Sequence, residues 1–392
     1  MKLTNKLNRY MILPILATSF ILAGCTKQQN TQTSSTDTVA KTTTTTQLND
    51  SSNSPLDTST LFTQDDLQQT VDTTNATKIT LENNTDVDIE ASGTYIITGS
   101  VTESTIFINT SGDIHLVFDN VSITNTSKPA INVKNARNVY LTTTSNSTNN
   151  LSTSSEDEDI DALIYANSNL TLNGNGTFNI NSASTAIYST GDLKVTGGIY
   201  NINTDKHGLK AIKSIRIADG TFTINAGKDG LHAENEDDLT AGFIYIAGGN
   251  FTINSQDDGI QGTTLTEIDG GTFDINAVEG IEGTYVQING GTITIYATDD
   301  GINASDQSTA YDVQLEINGG NLDITMAQGD TDALDSNGSL TINGGTINIT
   351  AQFAFDYDTT ATLNGGTVTV NGEPVTTITN SMMHGGPVNN QS

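Results

Sequence analysis

Apolar and polar residues alternate along most of the chain, and the alternation returns at a regular interval. A glycine-containing corner is followed by an alternating stretch such as residues 221–224 (Thr-Phe-Thr-Ile) and preceded by another such as residues 315–317 (Leu-Glu-Ile). Alternation with a period of two predicts strands with one buried face, and glycine supplies the backbone conformations that corners require. The pattern therefore predicts short strands separated by corners.

The strand pattern is itself repeated. One glycine marks each repeat: Gly176, Gly198, Gly220, Gly249, Gly271, Gly291, Gly320, Gly345 and Gly366. Their spacing runs from 20 residues, between Gly271 and Gly291, to 29 residues, between Gly220 and Gly249. Repeats of this length with three short strands are typical of a parallel β-helix, in which each coil pairs with the next. We therefore predict an all-β fold, a single-stranded parallel β-helix of about a dozen coils, in which residues 78–175 form the earlier coils.

The N-terminus has the features of an export signal. A basic start precedes an apolar run, and residues 22–25 (Leu-Ala-Gly-Cys) resemble the lipobox of bacterial lipoproteins, in which cleavage leaves a lipid-bearing cysteine at the mature N-terminus. A plain secretory signal with a chance cysteine is the alternative. We predict a lipoprotein signal peptide over residues 1–24 and a lipid anchor at Cys25, which would hold the protein at the extracellular face of the cell membrane.

Three further segments are predicted from composition. Residues 25–60 are rich in Ser and Thr and poor in apolar residues, which predicts a disordered tether. Residues 61–375 form the β-helix domain, and we expect residues 61–77 to cap one of its ends. Residues 376–392 form a flexible tail.

The chain is strongly acidic. Its 392 residues carry 45 Asp and Glu against 15 Lys and Arg, for a formal net charge of −30. Nucleic acid phosphates would repel a domain of this charge, so we expect no nucleic acid partner. With only one cysteine in the chain, no intramolecular disulfide contributes to the fold. We expect a monomer.

A column of acidic residues follows the strands. The same position is acidic in five successive repeats: Asp229, Asp258, Glu279, Asp300 and Asp332. Other acidic residues accompany this column: Asp257, Glu282, Asp299, Asp330 and Asp335. Equivalent residues stack in a β-helix, so neighbouring carboxylates would lie about 5 Å apart and repel by roughly 3 to 4 kcal/mol at an effective dielectric of 20.

Hard divalent cations would relieve this repulsion. Calcium binds six to eight oxygen atoms from carboxylates, carbonyls and water, so we predict several calcium ions along the column. The alternative is that these are solvated turn residues without an ion, because Asp-Gly is a common corner dipeptide. We also expect the glycine after each acid to bend the chain and turn the carboxylate outward, a pattern from which Ala333 departs.

The order of the segments resembles a known family. Residues 93–99, 117–123, 169–176, 242–246 and 257–261 (Asp-Asp-Gly-Ile-Gln) together resemble the clostridial family of carbohydrate-binding parallel β-helix proteins, and the likeness covers about residues 78–370. The resemblance implies a right-handed β-helix similar to family-nine pectate lyases, with bound calcium. The acidic columns of that family correspond here to Asp229, Asp257, Asp258, Glu279, Asp299, Asp300, Asp332 and Asp335. It also implies binding to cellulose and acidic plant polysaccharide, without established lyase activity.

Three functions are compatible with these features. The one we expect is calcium-dependent binding of a polysaccharide such as pectate or cellulose at the cell surface, with Lys206, Lys210 and His232 as further ligand-binding residues. The second is a pectate lyase, in which calcium acidifies the proton beside a uronate carboxylate and Lys210 is the catalytic base. The third is a stiff spacer or adhesin that uses calcium only for folding.

Aromatic rings would assist sugar binding by stacking on the pyranose face. The chain has no Trp, and the candidate rings are Tyr188, Tyr200, Tyr296 and Tyr357. Glycoside hydrolysis by paired carboxylates stays open, because acidic residues are abundant and their separations are not fixed by the sequence.

Overall fold

The strands of the protein pair in parallel from coil to coil. The computed structural model describes residues 54–154, 162–235, 238–329 and 331–381, which form 34 strands in one hydrogen-bonded sheet. Strand Thr221–Ala226, for example, pairs in parallel with Ile199–Thr204 on one side and with Asn250–Ser255 on the other. The predicted parallel β-helix is confirmed. The predicted signal peptide, Cys25 and Asp330 lie outside the described residues.

Equivalent strands stack into three faces. Face 1 contains the strands that precede the glycine corners: Thr77–Thr80, Asn138–Thr143, Asn169–Gly174, Asp192–Val195, Ser214–Ile217, Phe243–Ile246, Gln314–Ile317, Ser339–Ile342 and Thr360–Leu363. Face 2 contains the strands that follow those corners: Thr148–Thr153, Thr177–Ser182, Ile199–Thr204, Thr221–Ala226, Asn250–Ser255, Thr272–Ala277, Thr292–Ala297, Asn321–Met326, Thr346–Thr350 and Thr367–Val370.

Face 3 contains the strands that complete each coil. These strands are Val87–Ile89, Ile106–Asn109, Ile131–Asn135, Ala162–Ala166, Thr185–Ser189, Leu209–Ala211, Leu231–Ala233, Ile302–Ala304, Asp332–Ser336 and Phe353–Phe355. Four longer strands pass from one face to another: Gly93–Thr102 and Ile114–Asn125 from face 1 to face 2, and Ile260–Ile268 and Ile281–Ile288 from face 3 to face 1.

The core is a set of side-chain stacks that run through the coils. On face 2 every second residue is buried, as the alternation predicts, and the buried aromatic rings lie one above another. The ring centroids of Tyr200 and Phe222 are 5.1 Å apart, and those of Phe222 and Phe251 are 4.7 Å apart. Stacked pairs of this kind add about 0.5 to 1.5 kcal/mol each to the burial of their area. Tyr200, a candidate sugar-stacking ring, is therefore a core residue.

The N-terminal residues of the body lie across face 1. Residues 54–69, the N-terminal strap, contain a short 3₁₀ helix, Thr58–Thr60, and an α-helical turn, Gln64–Leu67. Leu61 and Phe62 are buried against face 1 residues that include Tyr245. The expectation that residues 61–77 cap one end is wrong for residues 61–69, because these apolar side chains bury on the side of the body. None of the helices in the described part of the chain is long and apolar enough to cross a membrane.

Packed residues extend past both predicted limits of the β-helix domain. Within the predicted tether, Thr58 is buried and the Ser54 hydroxyl donates a hydrogen bond to the carboxylate of Glu267 at 2.7 Å. Within the predicted tail, Ile378 is buried and the Asn380 amide donates to the carboxylate of Asp356 at 2.5 Å. The packed body therefore includes residues on both sides of 61–375.

The last coil ends in a hairpin. After Thr367–Val370 the chain turns at Asn371 and Gly372, whose φ angles are 52° and 82°, and returns as the antiparallel strand Glu373–Val375. A two-residue loop with positive φ at both positions is the type I′ turn that Asn-Gly favours.

Candidate functional site

One outward-facing position of face 3 forms a continuous row along the molecule. Strand register stacks each of its members on the next, and the row, called the face 3 row below, is Phe107, Asn132, Tyr165, Tyr188, Lys210, His232, Gln261, Glu282, Asn303 and Asp335. The aromatic rings thus lie in its first half, the basic side chains in its middle, and carboxylates alternating with amides in its second half. At the strand spacing of about 4.8 Å, the stretch from Tyr165 to Glu282 is roughly 24 Å long.

The predicted acidic column stacks beside this row. The amide of Gly230 donates to the carbonyl of Asp258 at 2.9 Å, and the amide of Gly259 donates to the carbonyl of Glu279 at 2.8 Å. The same contact recurs from Gly280 to Asp300, at 3.0 Å. The register that the sequence spacing predicts is therefore present in the structure.

Glycine is required in this column because successive coils lie close together there. A Cβ atom on Gly259 would lie 2.5 Å from the carbonyl oxygen of Gly280 and 2.5 Å from Cγ2 of Ile275. The chain bends at Gly259 and at Gly280, as expected, without a positive φ at either residue. A glycine at this position lets successive coils approach each other. The series of glycines ends at Ala333, whose side chain is fully buried.

The structure gathers part of the column into a compact group, the carboxylate cluster. Donor atoms of Asp258, Glu279 and Glu282 lie within 4.8 Å of one another, and Asp257 joins Asp258 and Asp229 at the same separation. Asp258 and Glu282 are buried, whereas Asp257 is exposed.

The other predicted ligands are arranged more loosely. Among the described residues, Asp299, Asp300, Asp332 and Asp335 belong to no group of three donors this close. Asp300 and Asp332 are linked through the backbone amide of Asp332, which donates to Oδ1 of Asp300 at 3.1 Å. The column therefore divides into a compact cluster and a looser continuation.

Neutral donors hold the cluster without neutralising it. The side-chain amide of Gln261 donates to Oε2 of Glu282 at 2.6 Å, and the hydroxyl of Ser305 donates to Oε1 of Glu282 at 2.8 Å. The amide of Asn303 donates to Oε2 of Glu279 at 3.0 Å. These contacts orient the carboxylates, but the negative charge stays uncompensated.

The pKa values of the acids reflect that excess charge. Burial, reinforced by the charge of Glu282, raises the pKa of Glu279 to about 8. Burial also raises the pKa of Asp300 to about 7 and that of Asp335 to about 6, with neighbouring acids adding to the effect. Burial and the charge of Asp229 raise the pKa of Asp258. An all-oxygen donor set with unneutralised charge fits a hard divalent cation.

Asp229 has different neighbours from the other acids. Its Oδ2 lies 3.1 Å from Nδ1 of His207 and 2.5 Å from Nδ1 of His232, and the two imidazole rings stack with centroids 4.5 Å apart. Burial alone would raise the pKa of Asp229, but the two imidazoles hold it below its ordinary value. Burial lowers the pKa of His207.

His207 is the residue that the predicted ligand set lacks. It occupies the column position in the coil before that of Asp229, so the repeat already assigns it to the column. Histidine is a common metal ligand, which was the signal for its role. A search of the column for acidic residues alone misses it.

The predicted lysines play different parts. Nζ of Lys210 lies 2.9 Å from Oε2 of Glu234 and 5.9 Å from the centroid of the Tyr188 ring. Lys210 therefore belongs to the face 3 row and is ion-paired. Lys228 lines the cleft that is described next, and the predicted Lys206 does not.

An open cleft joins these groups. It has a volume of about 530 Å³ and is lined by His207, Lys210, Lys228, Asp229, His232, Glu234, Asp257, Asp258, Gln261, Glu279 and Glu282. The cleft lies over the middle of the face 3 row, where the row changes from basic to acidic side chains.

The candidate aromatic rings differ in position. Tyr188 is half-buried in the face 3 row and meets Tyr165 edge to face, with centroids 5.5 Å apart. Tyr296 is exposed, but it lies on face 2. Tyr357 is partly buried against the core near the last coil. Tyr165 was not among the predicted rings, although register places it directly beside Tyr188.

Comparison with known proteins gives a family. A sequence model of the family described as "carbohydrate-binding domain-containing protein" matches residues 83–333 and, again, residues 285–384. A protein of that description from Acetivibrio thermocellus is 29% identical over 123 residues, which are 29% of this chain and 43% of the relative's length. A solved polysaccharide lyase-like protein from C. thermocellum, a gadolinium derivative, aligns with a TM-score of 0.49 and 24% identity over 65% of this chain and 98% of the other. Because the family match covers most of the β-helix, this chain belongs to the family of carbohydrate-binding domain-containing proteins.

Proposed function

We propose that this protein binds an extended polysaccharide along the face 3 row and that calcium at the carboxylate cluster completes the binding surface. The observation that carries the proposal is the continuous row in which the rings of Tyr165 and Tyr188 lead through Lys210 to Glu282. Aromatic faces suit the apolar faces of sugar rings, and polar side chains on the same line suit their hydroxyl and carboxylate groups.

The length of the row favours a polymer over a single sugar. The stretch from Tyr165 to Glu282 extends for roughly 24 Å along the direction in which the coils stack. The cleft above its centre is open to solvent, so a polymer can reach the row. A linear glycan would contact several coils at once, and these individually weak contacts together give a higher affinity.

Calcium accounts for how so acidic a protein would hold an acidic polymer. Asp258, Glu279 and Glu282, with Asp257 at the rim, are the residues that would hold the ion, and they offer only oxygen donors. A bound calcium ion supplies positive charge beside the row, where uronate carboxylates would otherwise meet like charge. Pectate and cellulose are the acidic and neutral polymers that we propose as ligands.

We also propose a place for the protein. Cys25 would carry the lipid, residues 26–53 would separate the body from the membrane, and the body would act as a monomer on the extracellular face of the cell. The net charge of −30 supports a body that stands away from anionic lipid surfaces.

Binding without cleavage fits the lysines better than a lyase does. A lyase base must be free to accept a proton, and the ammonium group of Lys210 is ion-paired with Glu234 at 2.9 Å. We therefore propose a binding protein and assign no catalytic residue.

Co-sedimentation with insoluble pectate and cellulose tests the proposal. The full chain should be retained in calcium and released by chelator, while circular dichroism shows that the chelated protein stays folded. Tyr188→Ala should weaken retention roughly five- to tenfold, whereas Tyr296→Ala, a matched exposed ring on face 2, should not. No retention on either polymer with calcium present would overturn the proposal for both ligands and favour a spacer. Unsaturated uronate in the supernatant would show that the protein is a lyase.

A further inference from the structure

We propose that His207, Asp229 and His232 form a second metal site, specific for a borderline divalent ion such as Zn²⁺ and separate from the calcium-binding carboxylates. Nδ1 of His207 and Nδ1 of His232 both face Oδ2 of Asp229, at 3.1 and 2.5 Å. Two imidazole nitrogens and one carboxylate oxygen are the three-ligand set of many zinc sites, which leave a fourth position open.

Two nitrogens of the site are buried and without hydrogen bonds. Within the described residues, neither Nδ1 atom has a hydrogen-bond partner, although both lie close to Oδ2 of Asp229. His207 is only 8% exposed, and its ring stacks on that of His232. Buried polar atoms are rarely left without partners, so two that converge on one carboxylate oxygen point to an ion between them.

The contact of His232 with Glu234 fixes the lone pair that a metal needs. Nε2 of His232 lies 3.1 Å from Oε2 of Glu234, and a carboxylate only accepts, so Nε2 carries the hydrogen. In the neutral ring, the lone pair then lies on Nδ1, which faces Asp229. A ligating histidine whose other nitrogen donates to a carboxylate is the usual arrangement around zinc.

The space is close to what an ion requires. Tetrahedral zinc with ligands at about 2.1 Å holds its donor atoms about 3.4 Å apart, so the pairs at 3.1 and 2.5 Å must separate by less than about 1 Å. The open cleft beside the site supplies an entry path and the fourth ligand, a water molecule or a group of the glycan.

The donor chemistry separates this site from the carboxylate cluster. Calcium prefers oxygen ligands, whereas imidazole suits zinc and its neighbours. Oδ1 of Asp229 accepts the backbone amide of Asp258 at 3.1 Å, which aims Oδ2 at the histidines. Because His207 and Asp229 lie in successive coils, a bound ion would also link one coil to the next.

Metal titration of the full chain tests the proposal. A Cys25→Ser background removes the thiol as a ligand, and the protein is first stripped with chelator. Zinc should bind at one site per chain in a large excess of calcium, and cobalt in its place should give the intense visible absorption of a tetrahedral site. His207→Ala should weaken zinc binding by at least about 100-fold, and Glu234→Gln by roughly tenfold. His115→Ala, a histidine stacked on Tyr140 away from the site, should change nothing.

Two results would overturn the inference. One is the absence of zinc binding in excess calcium, and the other is unchanged zinc affinity in the double variant His207→Ala, His232→Ala. If the variants fold poorly, X-ray absorption at the zinc edge is measured on the zinc-loaded protein with both histidines intact. The spectrum must show two imidazole nitrogens bound to zinc, and their absence would overturn the inference. Glu279→Gln should leave zinc binding intact while weakening calcium binding, so the two sites can fail independently.

Discussion

Nζ of Lys194 lies 2.7 Å from Oδ2 of Asp66, which joins the N-terminal strap to face 1 across 128 residues of sequence. Both side chains are largely buried, and Oδ1 of Asp66 also accepts a hydrogen bond from the hydroxyl of Thr171 at 2.7 Å. The pair therefore attaches the strap through charge, while Leu61 and Phe62 attach it through apolar contact.

We expect Asp66→Asn to lower the free energy of unfolding by roughly 3 kcal/mol, because it leaves the ammonium group of Lys194 buried without a counter-charge. Urea denaturation measures the change. Asp65→Asn, at the exposed neighbouring position, is the control and should have little effect. Equal losses for both variants would contradict an attachment through the Asp66–Lys194 pair.

The glycine column gives a second prediction. A Cβ atom at position 259 meets the next coil at 2.5 Å, so Gly259→Ala should cost about 1 to 3 kcal/mol or more of stability. Gly248→Ala is the matched control, because its Cβ would meet only the carbonyl oxygen of Ala218, at 3.3 Å. Thermal unfolding in chelator compares the two, and similar midpoints would show that the coils can move apart at the column.

Strand pairing in this fold was predictable because three signals coincide. The period-two alternation, the glycine corners and the repeat length all require the same stacking, so the register from Asp258 to Glu279 follows from spacing alone. The strap was not predictable. Its short apolar pair, Leu61 and Phe62, is separated from its partners on face 1 by more than 150 residues, and no periodicity links them.

The candidate site was predictable in position but not in its internal division. Spacing placed Asp229 and Asp258 in one column and therefore suggested equivalent roles. The structure separates them, because Asp229 faces His207 of the preceding coil and His232 of its own coil, whereas Asp258 is surrounded by acids. Which neighbour a carboxylate faces depends on side-chain direction at the corner, and the repeat does not encode that direction.

A buried acid away from the proposed metal sites predicts a pH dependence of stability. Burial raises the pKa of Glu267 from 4.5 to about 7, although the hydroxyl of Ser54 donates to it. Below pH 4.5 both the folded and the unfolded chain hold this proton, and between pH 4.5 and 7 only the folded chain does. Stability from this group should therefore fall as the pH rises through that range, by about 3 kcal/mol in total.

Glu267→Gln checks this pH dependence. The variant should match the unsubstituted protein near pH 4.5 and exceed it in free energy of unfolding by pH 8, measured by denaturant titration in chelator. The difference should grow between pH 5 and 7 and then level off. Parallel profiles would show that Glu267 has an ordinary pKa in the folded protein.

Calcium should reverse the effect of a substitution in the carboxylate cluster. Without metal, Glu279→Gln should raise the melting temperature at neutral pH, because folding must keep protonated a carboxyl that the unfolded chain ionises, and Gln has no such cost. With calcium, the same variant should gain less stability than the unsubstituted protein, because the ion loses a ligand.

Scanning calorimetry with and without calcium measures both effects of Glu279→Gln. Asp323→Asn, at an exposed position of face 2, is the control and should respond to calcium as the unsubstituted protein does. If calcium raised the melting temperature equally in all three proteins, Glu279 would be excluded as a ligand.

The hairpin after the last coil limits how far the fold can grow. A parallel stack leaves unpaired backbone groups at its end, onto which another chain can add and so begin a fibre. Here the strand Glu373–Val375 returns antiparallel over the edge of face 2, and its own outer edge presents Pro374, which has no N–H to donate, beside the charge of Glu373. The hairpin thereby blocks end-to-end polymerisation through face 2 at this end of the stack.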